Sequence, residues 1–334
     1  MEASLNNPIY TFFMIDGTTK YDLTPAVISF SSSDQENQMA LNADINLANI
    51  KVSGKLLSDI LQARQRVFIY ADDGTTKDEV FRGWIWTKYA DTALATKEIH
   101  IKCYDNLIYF QESEDSKYFT DGTDTRSAVQ SICNDWGITL NYTYSTITHS
   151  KLVLRGTLSN ILTTDILDVV KARTGRKYVI NYTKDVLYIK PVGQNSTVYN
   201  IEAGDNAVRT RSEQTMDGMV TKVVILGKAD DQERKPIEAV VSGNTAMYGT
   251  LQKLQDRDEN TSLADAQAEA QTTINQNGSP FWLFEVDAPD IPWIRKGDKV
   301  HVTAGDIDGN LIVRNIDRSI SAREKNMSLT LEWP

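Results

Sequence analysis

Few side chains in this sequence have a type and spacing that suggest chemistry. Histidine occurs three times, at His100, His149 and His301. A zinc site needs two ligands close together, for example an i, i+4 pair on one helix face, and these three lie far apart. His100 and His301 read as solvent-facing positions on matching strands. The two cysteines, Cys103 and Cys133, have no metal spacing either. Cys103 falls on the apolar face of a strand, where a free thiol behaves as a small hydrophobe; a reducing compartment at synthesis fits this usage. Asp306-Ile-Asp308-Gly-Asn310 has the opening acids of a calcium loop. It lacks the ~12-residue length and closing glutamate of such a loop, and a hairpin turn explains it better. Ser242-Gly243-Asn244 reads as a turn, not a nucleophile elbow, and no HExxH, GxSxG or Gly-rich phosphate loop occurs. The sequence therefore nominates no catalytic, cofactor-binding or metal-binding residue. The aromatic residues are the remaining candidates. Trp84 and Trp86 share one face of a strand, opposite Phe81 and Ile85, and Trp293 precedes a basic pair. Paired tryptophans mark a carbohydrate platform or a protein interface. Apolar residues on both faces of the strand favour core filling instead.

The elements that carry these residues occur twice. Near the end of the chain, Lys299–Thr303 alternates apolar and polar, Gly305–Asn310 is a turn, and Leu311–Ile316 is apolar. A polar loop, Asp317–Asn326, leads to Met327–Trp333, where Met327, Leu329, Leu331 and Trp333 share a face. Period-two alternation of this kind marks a strand with one wet face. The earlier copy runs Val67–Tyr70, a turn with another Asp-Gly at Asp73-Gly74, Val80–Trp86, a polar loop Thr87–Lys97, and Glu98–Cys103. Upstream of each copy lies a further alternating strand, Leu41–Leu47 or Trp282–Ala288. Basic residues precede each first strand: Arg64 and Arg66, or Arg295 and Lys296. The pattern predicts two copies of one antiparallel β unit.

The 334 residues suffice for two or three domains with proper cores. With 45 acidic and 35 basic residues the net charge is −10, which argues against sequence-independent nucleic-acid binding, since that needs a basic face. The opening MEASLNNPIY lacks the basic and apolar parts of a secretory signal, and no run reaches the ~18 apolar residues of a membrane span. Between the copies the pattern changes. Asp124 is placed to cap a helix over Thr125–Trp136, with Ala128, Val129, Ile132 and Trp136 inward and Gly137 as its stop. Ser159 or Asn160 caps a second helix, Ile161–Arg173, ended by Gly175. A hairpin, Lys177–Tyr182 with Val186–Lys190, follows. Later, Ser262 and Asp265 form a capping box for a helix to about Asn275, with Ala266, Ala270 and Ile274 inward. The predicted fold class is α+β, mainly β: an antiparallel β domain at 1–110, a helix-plus-hairpin α+β module at 111–200, and a second antiparallel β domain at 201–334.

In order, several segments resemble the hub protein of contractile phage tails, in particular the PBSX-like hubs of Gram-positive phages and R-type bacteriocins. They are Tyr248-Gly249-Thr250-Leu251-Gln252 with the helix Ser262–Asn275, the stretch Ile294–Val302, Leu311–Ile316, and the terminal Met327–Trp333. Ile161–Lys190 resembles the middle part of those hubs. The resemblance implies a structural protein without catalytic residues or cofactors, assembled in the host cytoplasm into the baseplate of a virion or bacteriocin particle. It implies that the domains 1–110 and 201–334 are tube-like antiparallel β-barrels, and a homotrimer whose six barrels join a hexameric tail tube to a trimeric spike, in contact with baseplate wedge or other baseplate proteins. The alternative is a carbohydrate- or cell-surface-binding β protein of a phage tail, with Trp84 and Trp86 as its platform.

Overall fold

The computed structural model describes residues 7–91, 98–230, 233–257 and 261–334. One thirteen-stranded sheet runs through both ends of the chain and encloses two separate apolar cores. In spatial order the first roll is Val27–Asp34, Asn42–Ala48, Glu98–Tyr104, Lys77–Asp91, Arg66–Asp72 and Ile9–Asp16, with Thr19–Asp22 at its margin. The second is Arg209–Thr215, Phe281–Pro289, Lys325–Glu332, Ile307–Ser321, Lys299–Ala304 and Tyr199–Glu202. The mainly β fold class expected from the repeat and the resemblance is the fold observed, built on one large, mostly antiparallel sheet.

The duplication holds at the level of register. Ala43, Ile45 and Leu47 lie opposite Cys103, Ile101 and Ile99. Phe284, Val286 and Ala288 lie opposite Leu331, Leu329 and Met327. All twelve are buried, because successive side chains alternate between faces and only one face meets the core. A β-bulge interrupts each long strand at the same place, at Trp86 in one and Arg314 in the other. The turn before the next strand is also shared. Gln62 N donates to Gln65 Oε1 at 2.7 Å, and Arg295 N donates to Asp298 Oδ2 at 2.9 Å. Arg64 (φ 67°) and Gly297 (φ 81°) occupy the same left-handed position. The copies differ in their last strand: Ile9–Asp16 runs antiparallel to Arg66–Asp72, whereas Tyr199–Glu202 runs parallel to Lys299–Ala304.

Some elements differ from their sequence reading. The polar stretches after Trp86 and Ile316 continue as strand, to Asp91 and Ser321; residues 92–97 of the first predicted loop lie outside the described residues. These strands are polar there because only one of their faces meets a core. The second hairpin turns at Gly305-Asp306, since Ala304 already pairs with Ile307. Asp308-Gly309 sits within the strand. A Cβ at Gly309 would lie 2.9 Å from the Trp333 ring, so glycine serves close packing there, not turning.

The middle residues form their own core around Phe110, Ile132, Leu162, Ile166 and Leu187. Asp124 accepts from Ser127 N as the cap of Thr125–Asp135. The second helix is capped by Thr157, ahead of the expected Ser159 or Asn160, and passes through a π-helical stretch at Ile161–Leu167 before ending at Gly175. A small module is inserted in the second roll, between Arg209–Thr215 and Phe281–Pro289. Helix Leu263–Asn277 lays Ala266, Ala270 and Ile274 over Val223 and Ile225 of a three-stranded sheet. Ser262 caps this helix, with Asp265 N donating to Ser262 Oγ at 3.1 Å and the Ser262 hydroxyl donating to the Asp265 carboxylate at 2.7 Å.

Candidate functional site

Functional interest falls on the seam where the two rolls and the middle module meet. The outer half of Ile307–Ser321 stays paired with Lys325–Glu332 and on its other edge pairs with Val27–Asp34, from Ile316 opposite Asp34 to Ser321 opposite Ser29. Ile320, on the second roll's strand, thereby enters the first roll's core.

Two buried ion groups lock this ladder. Asp34, 1% exposed, accepts from Arg295 Nε at 2.7 Å and lies 3.2 Å from Lys296 Nζ. Lys296 Nζ also donates to the carbonyls of Gln35 (3.1 Å) and Gln38 (2.5 Å). Burial disfavours the Asp34 carboxylate, but the two cations outweigh it and hold its pKa well below the carboxylate range. Burial likewise works against the Arg295 charge, and Asp34 overcomes it, raising that pKa. In the second group, Arg318 Nε donates to Asp290 Oδ1 at 2.9 Å, its Nη2 donates to Ile294 O at 2.5 Å, and Tyr10 donates its hydroxyl to Asp290. Asp105, also buried, accepts from the backbone N–H groups of Leu41 (3.2 Å) and Leu107 (2.9 Å). Burial dominates there and pushes its pKa up to about 7, against those donors and the nearby cations.

The middle module docks against the same seam. Its hairpin tip, Lys184-Asp185, has both residues in the left-handed region. Asp185 receives Arg66 and Arg82, and Lys184 reaches Asp78 at 2.7 Å. A depression of about 440 Å³ lined by Glu36, Asp168, Lys177, Lys296 and Arg314 opens beside Lys296, and another of about 480 Å³ opens beside Arg295 and Trp293.

The residues singled out for chemistry are dispersed. His149 is buried in the middle module, 2.9 Å from Thr125 Oγ1. His100 and His301 do not occupy matching strands: His100 lies on the third strand of its unit and His301 on the first. The alternation is the same in both strands, so polarity alone misassigned them. His100 stacks on Tyr89, and His301 lies among Thr303, Asp308 and Asn310. Among the described residues no group of three His, Cys, Asp or Glu side chains is placed to hold a metal ion. No described helix is long and apolar enough to cross a membrane. Trp84 and Trp86 face outward and do not fill the core. Trp84 donates to Asn106 at 2.5 Å beneath the Arg66 guanidinium, whereas Trp86 is 41% exposed. Sequence reading did not pick out Asp34, Asp290 and Arg318; their partners lie on strands remote in the chain or across the seam, and no spacing encodes that.

A YQBQ-like family model matches residues 50–332, most of the chain, including both upstream strands' partners and the seam cations. The chain belongs to the YQBQ-like family. The phage-like element PBSX protein XkdQ of Bacillus subtilis is 24% identical over 229 residues, covering 67% of this chain and 68% of that protein. Two solved structures share the fold of this YQBQ-like chain. A tail protein from Neisseria meningitidis MC58 gives a TM-score of 0.71 at 14% identity, over 97% of this chain and 96% of that one. The 43 kDa tail protein of prophage MuSo2 from Shewanella oneidensis gives 0.69 at 13% identity, over 98% and 99%. The YQBQ-like chain is thus a phage tail/baseplate-like protein, as the resemblance implied.

Proposed function

We propose that this chain is the structural hub of a contractile tail baseplate, in a phage or a phage-tail-like bacteriocin. Three copies would form a ring that joins a hexameric tail tube to a trimeric spike. The observation that carries this reading is the duplicated roll: one chain offers two like units side by side in one sheet, so three chains offer six. A repeat within one chain is an economical way for threefold symmetry to meet sixfold symmetry, because each sixfold position then finds an equivalent surface. The family membership and the tail-protein fold support the setting. The middle module, bound to the first roll by Asp185, would contact wedge or other baseplate proteins. We assign the chain no catalytic role and no cofactor; its work is shape and contact.

Immuno-electron microscopy of assembled tails tests this assignment. Label on this chain is expected at one end of the tube, beside the spike. Label along the tube's length, or none on the particle, would overturn it.

A further inference from the structure

The depression beside Arg295 and Trp293 is a built cleft, and we infer that it binds an uncharged saccharide. The inference does not rest on the hub reading. At about 480 Å³ the cleft has the size of a small-ligand site. One wall is the middle module's hairpin, Tyr178–Thr183 paired with Val186–Pro191. Strand alternation turns Ile180, Tyr182, Leu187 and Ile189 into that module's core. It leaves Asn181 and Tyr188, opposite each other in register, on the face that lines the cleft. The second wall is Tyr199 with the loop before it, residues 194–197. Asn195 fixes this loop: its Nδ2 donates to Thr197 O at 2.6 Å and to Lys299 O at 2.9 Å, and its Oδ1 accepts from Lys299 N at 2.7 Å. Trp293 lines a third side and is held by its Nε1 bond to Asp73 at 2.7 Å. The walls are thus fixed by contacts within the chain, and a ligand would have little to order on entry.

The chemistry of the lining selects the ligand. Its charged groups already have partners within the chain: Arg295 pairs with Asp34 at 2.7 Å, and Asp298 accepts from Arg295 N at 2.9 Å and lies 3.7 Å from Lys190 Nζ. A charged ligand would compete with these partners and leave one of them uncompensated, so the cleft favours a neutral one. The groups without partners are themselves neutral. Asn181 is 6% exposed and donates to Lys296 O at 3.3 Å, yet its buried Oδ1 has no hydrogen-bond partner among the described residues. Buried polar atoms are nearly always paired, so an orphan acceptor in a cleft calls for a donor from outside the chain. The Tyr188 and Tyr199 hydroxyls and the Gln194 amide likewise lack a hydrogen-bond partner among the described residues. Three aromatic rings, Tyr188, Tyr199 and Trp293, line the same space. A pyranose fits this mixture. Its C–H face is apolar and carries partial positive charge, which suits the negative face of an aromatic ring. Its rim hydroxyls donate and accept without net charge, and one of them, or an N-acetyl N–H, would supply the donor that Asn181 Oδ1 lacks.

Titration of the full chain with N,N′-diacetylchitobiose and with cellobiose, two uncharged disaccharides, tests the site. Calorimetry and saturation-transfer NMR give the readouts, and saturable binding of at least one disaccharide is expected. Tyr188→Ala and Tyr199→Ala are each expected to weaken it about tenfold, and Asn181→Leu by at least as much, because it removes the orphan acceptor. Gln194→Ala, at an exposed position, is expected to weaken binding severalfold with an unchanged urea midpoint, so loss of contact is separated from loss of fold. Absence of saturable binding by either disaccharide would overturn the inference. Binding that survives Tyr188→Ala and Tyr199→Ala together would also overturn it, by placing the sugar elsewhere, as on the exposed Trp86. So would displacement of the bound sugar by inorganic phosphate, which would make the cleft an anion site. None of these outcomes changes the labelling expected on assembled tails, so this inference and the hub reading fail separately.

Discussion

At the scale of single residues, Asp34 carries the most consequence. Its carboxylate pairs directly with both Arg295 and Lys296. Removing one member of a buried ion group leaves the others uncompensated, at a cost of about 3–5 kcal/mol. Asp34→Ala is therefore expected to lower the urea midpoint strongly, whereas Asp308→Ala, with an exposed carboxylate, is expected to change it by less than about 1 kcal/mol. His149 sets a pH dependence of opposite origin. Burial first, then the neighbouring Arg173 charge, depresses its pKa, with Asp124 offsetting part of the effect. The unfolded chain then binds a proton at the ordinary value of 6.5 while the folded chain resists it. The stabilisation from His149 is full above pH 6.5 and is lost as pH falls through the depressed folded value. Asp105, with its pKa pushed up to about 7, works the other way over the same range in both chains, so the His149 part is read as a difference: from pH 7.5 down to 5 the urea midpoint of the native chain is expected to fall relative to that of His149→Gln.

Among elements, the duplicated turn shows how one backbone serves two environments. Arg64 tolerates the left-handed conformation on an exposed surface. Its counterpart Gly297 cannot be replaced so easily, because a Cβ there would lie 2.5 Å from Val179 Cβ in the middle module. Positive φ costs a side chain about 1–2 kcal/mol, and overpacking adds about 1–3 kcal/mol. Gly297→Ala should therefore destabilise by about 2–5 kcal/mol in chemical denaturation, with partial recovery on adding Val179→Ala, while Arg64→Ala stays near neutral. The repeat itself was legible in sequence because period-two alternation survives wherever one face of a strand meets a core, as at Ile99, Ile101 and Cys103. The helix caps at Asp124 and Ser262 were legible because capping chemistry is local. The strand extensions to Asp91 and Ser321 were not, since the residues there alternate weakly and pair at a seam. Nor was the edge strand Arg209–Thr215, whose residues are nearly all exposed and carry no apolar signal. The ion groups escaped for the same reason: Arg295 and Asp34 are 261 positions apart.

For the whole molecule, the question is whether two cores in one sheet behave as one folding unit. The cores are distinct, but Ile320 is donated across the seam, 6% exposed within the first roll's cluster, by a strand whose neighbour Ile316 lies in the second. Coupling between the rolls runs through the ladder, the two ion groups, this side chain, Trp293 packed on the first core with its Nε1 donating to Asp73 at 2.7 Å, and the Arg314–Glu36 and Lys325–Pro8 contacts. Truncating a buried isoleucine to alanine costs about 2–5 kcal/mol wherever it sits, so position and not magnitude separates two variants. Ile316→Ala weakens the second core and leaves the seam's insertion intact; both rolls should still unfold in one transition. Ile320→Ala removes the inserted side chain; the rolls should then melt separately, with the calorimetric enthalpy exceeding the van't Hoff value. Tryptophan fluorescence gives a second readout, with Trp84 reporting on the first roll and Trp282 on the second in single-tryptophan versions. Coincident transitions for both probes in Ile320→Ala would show that the remaining contacts bind the rolls together. The hub role proposed above would need such coupling, because rolls that loosen independently could not hold a ring in register.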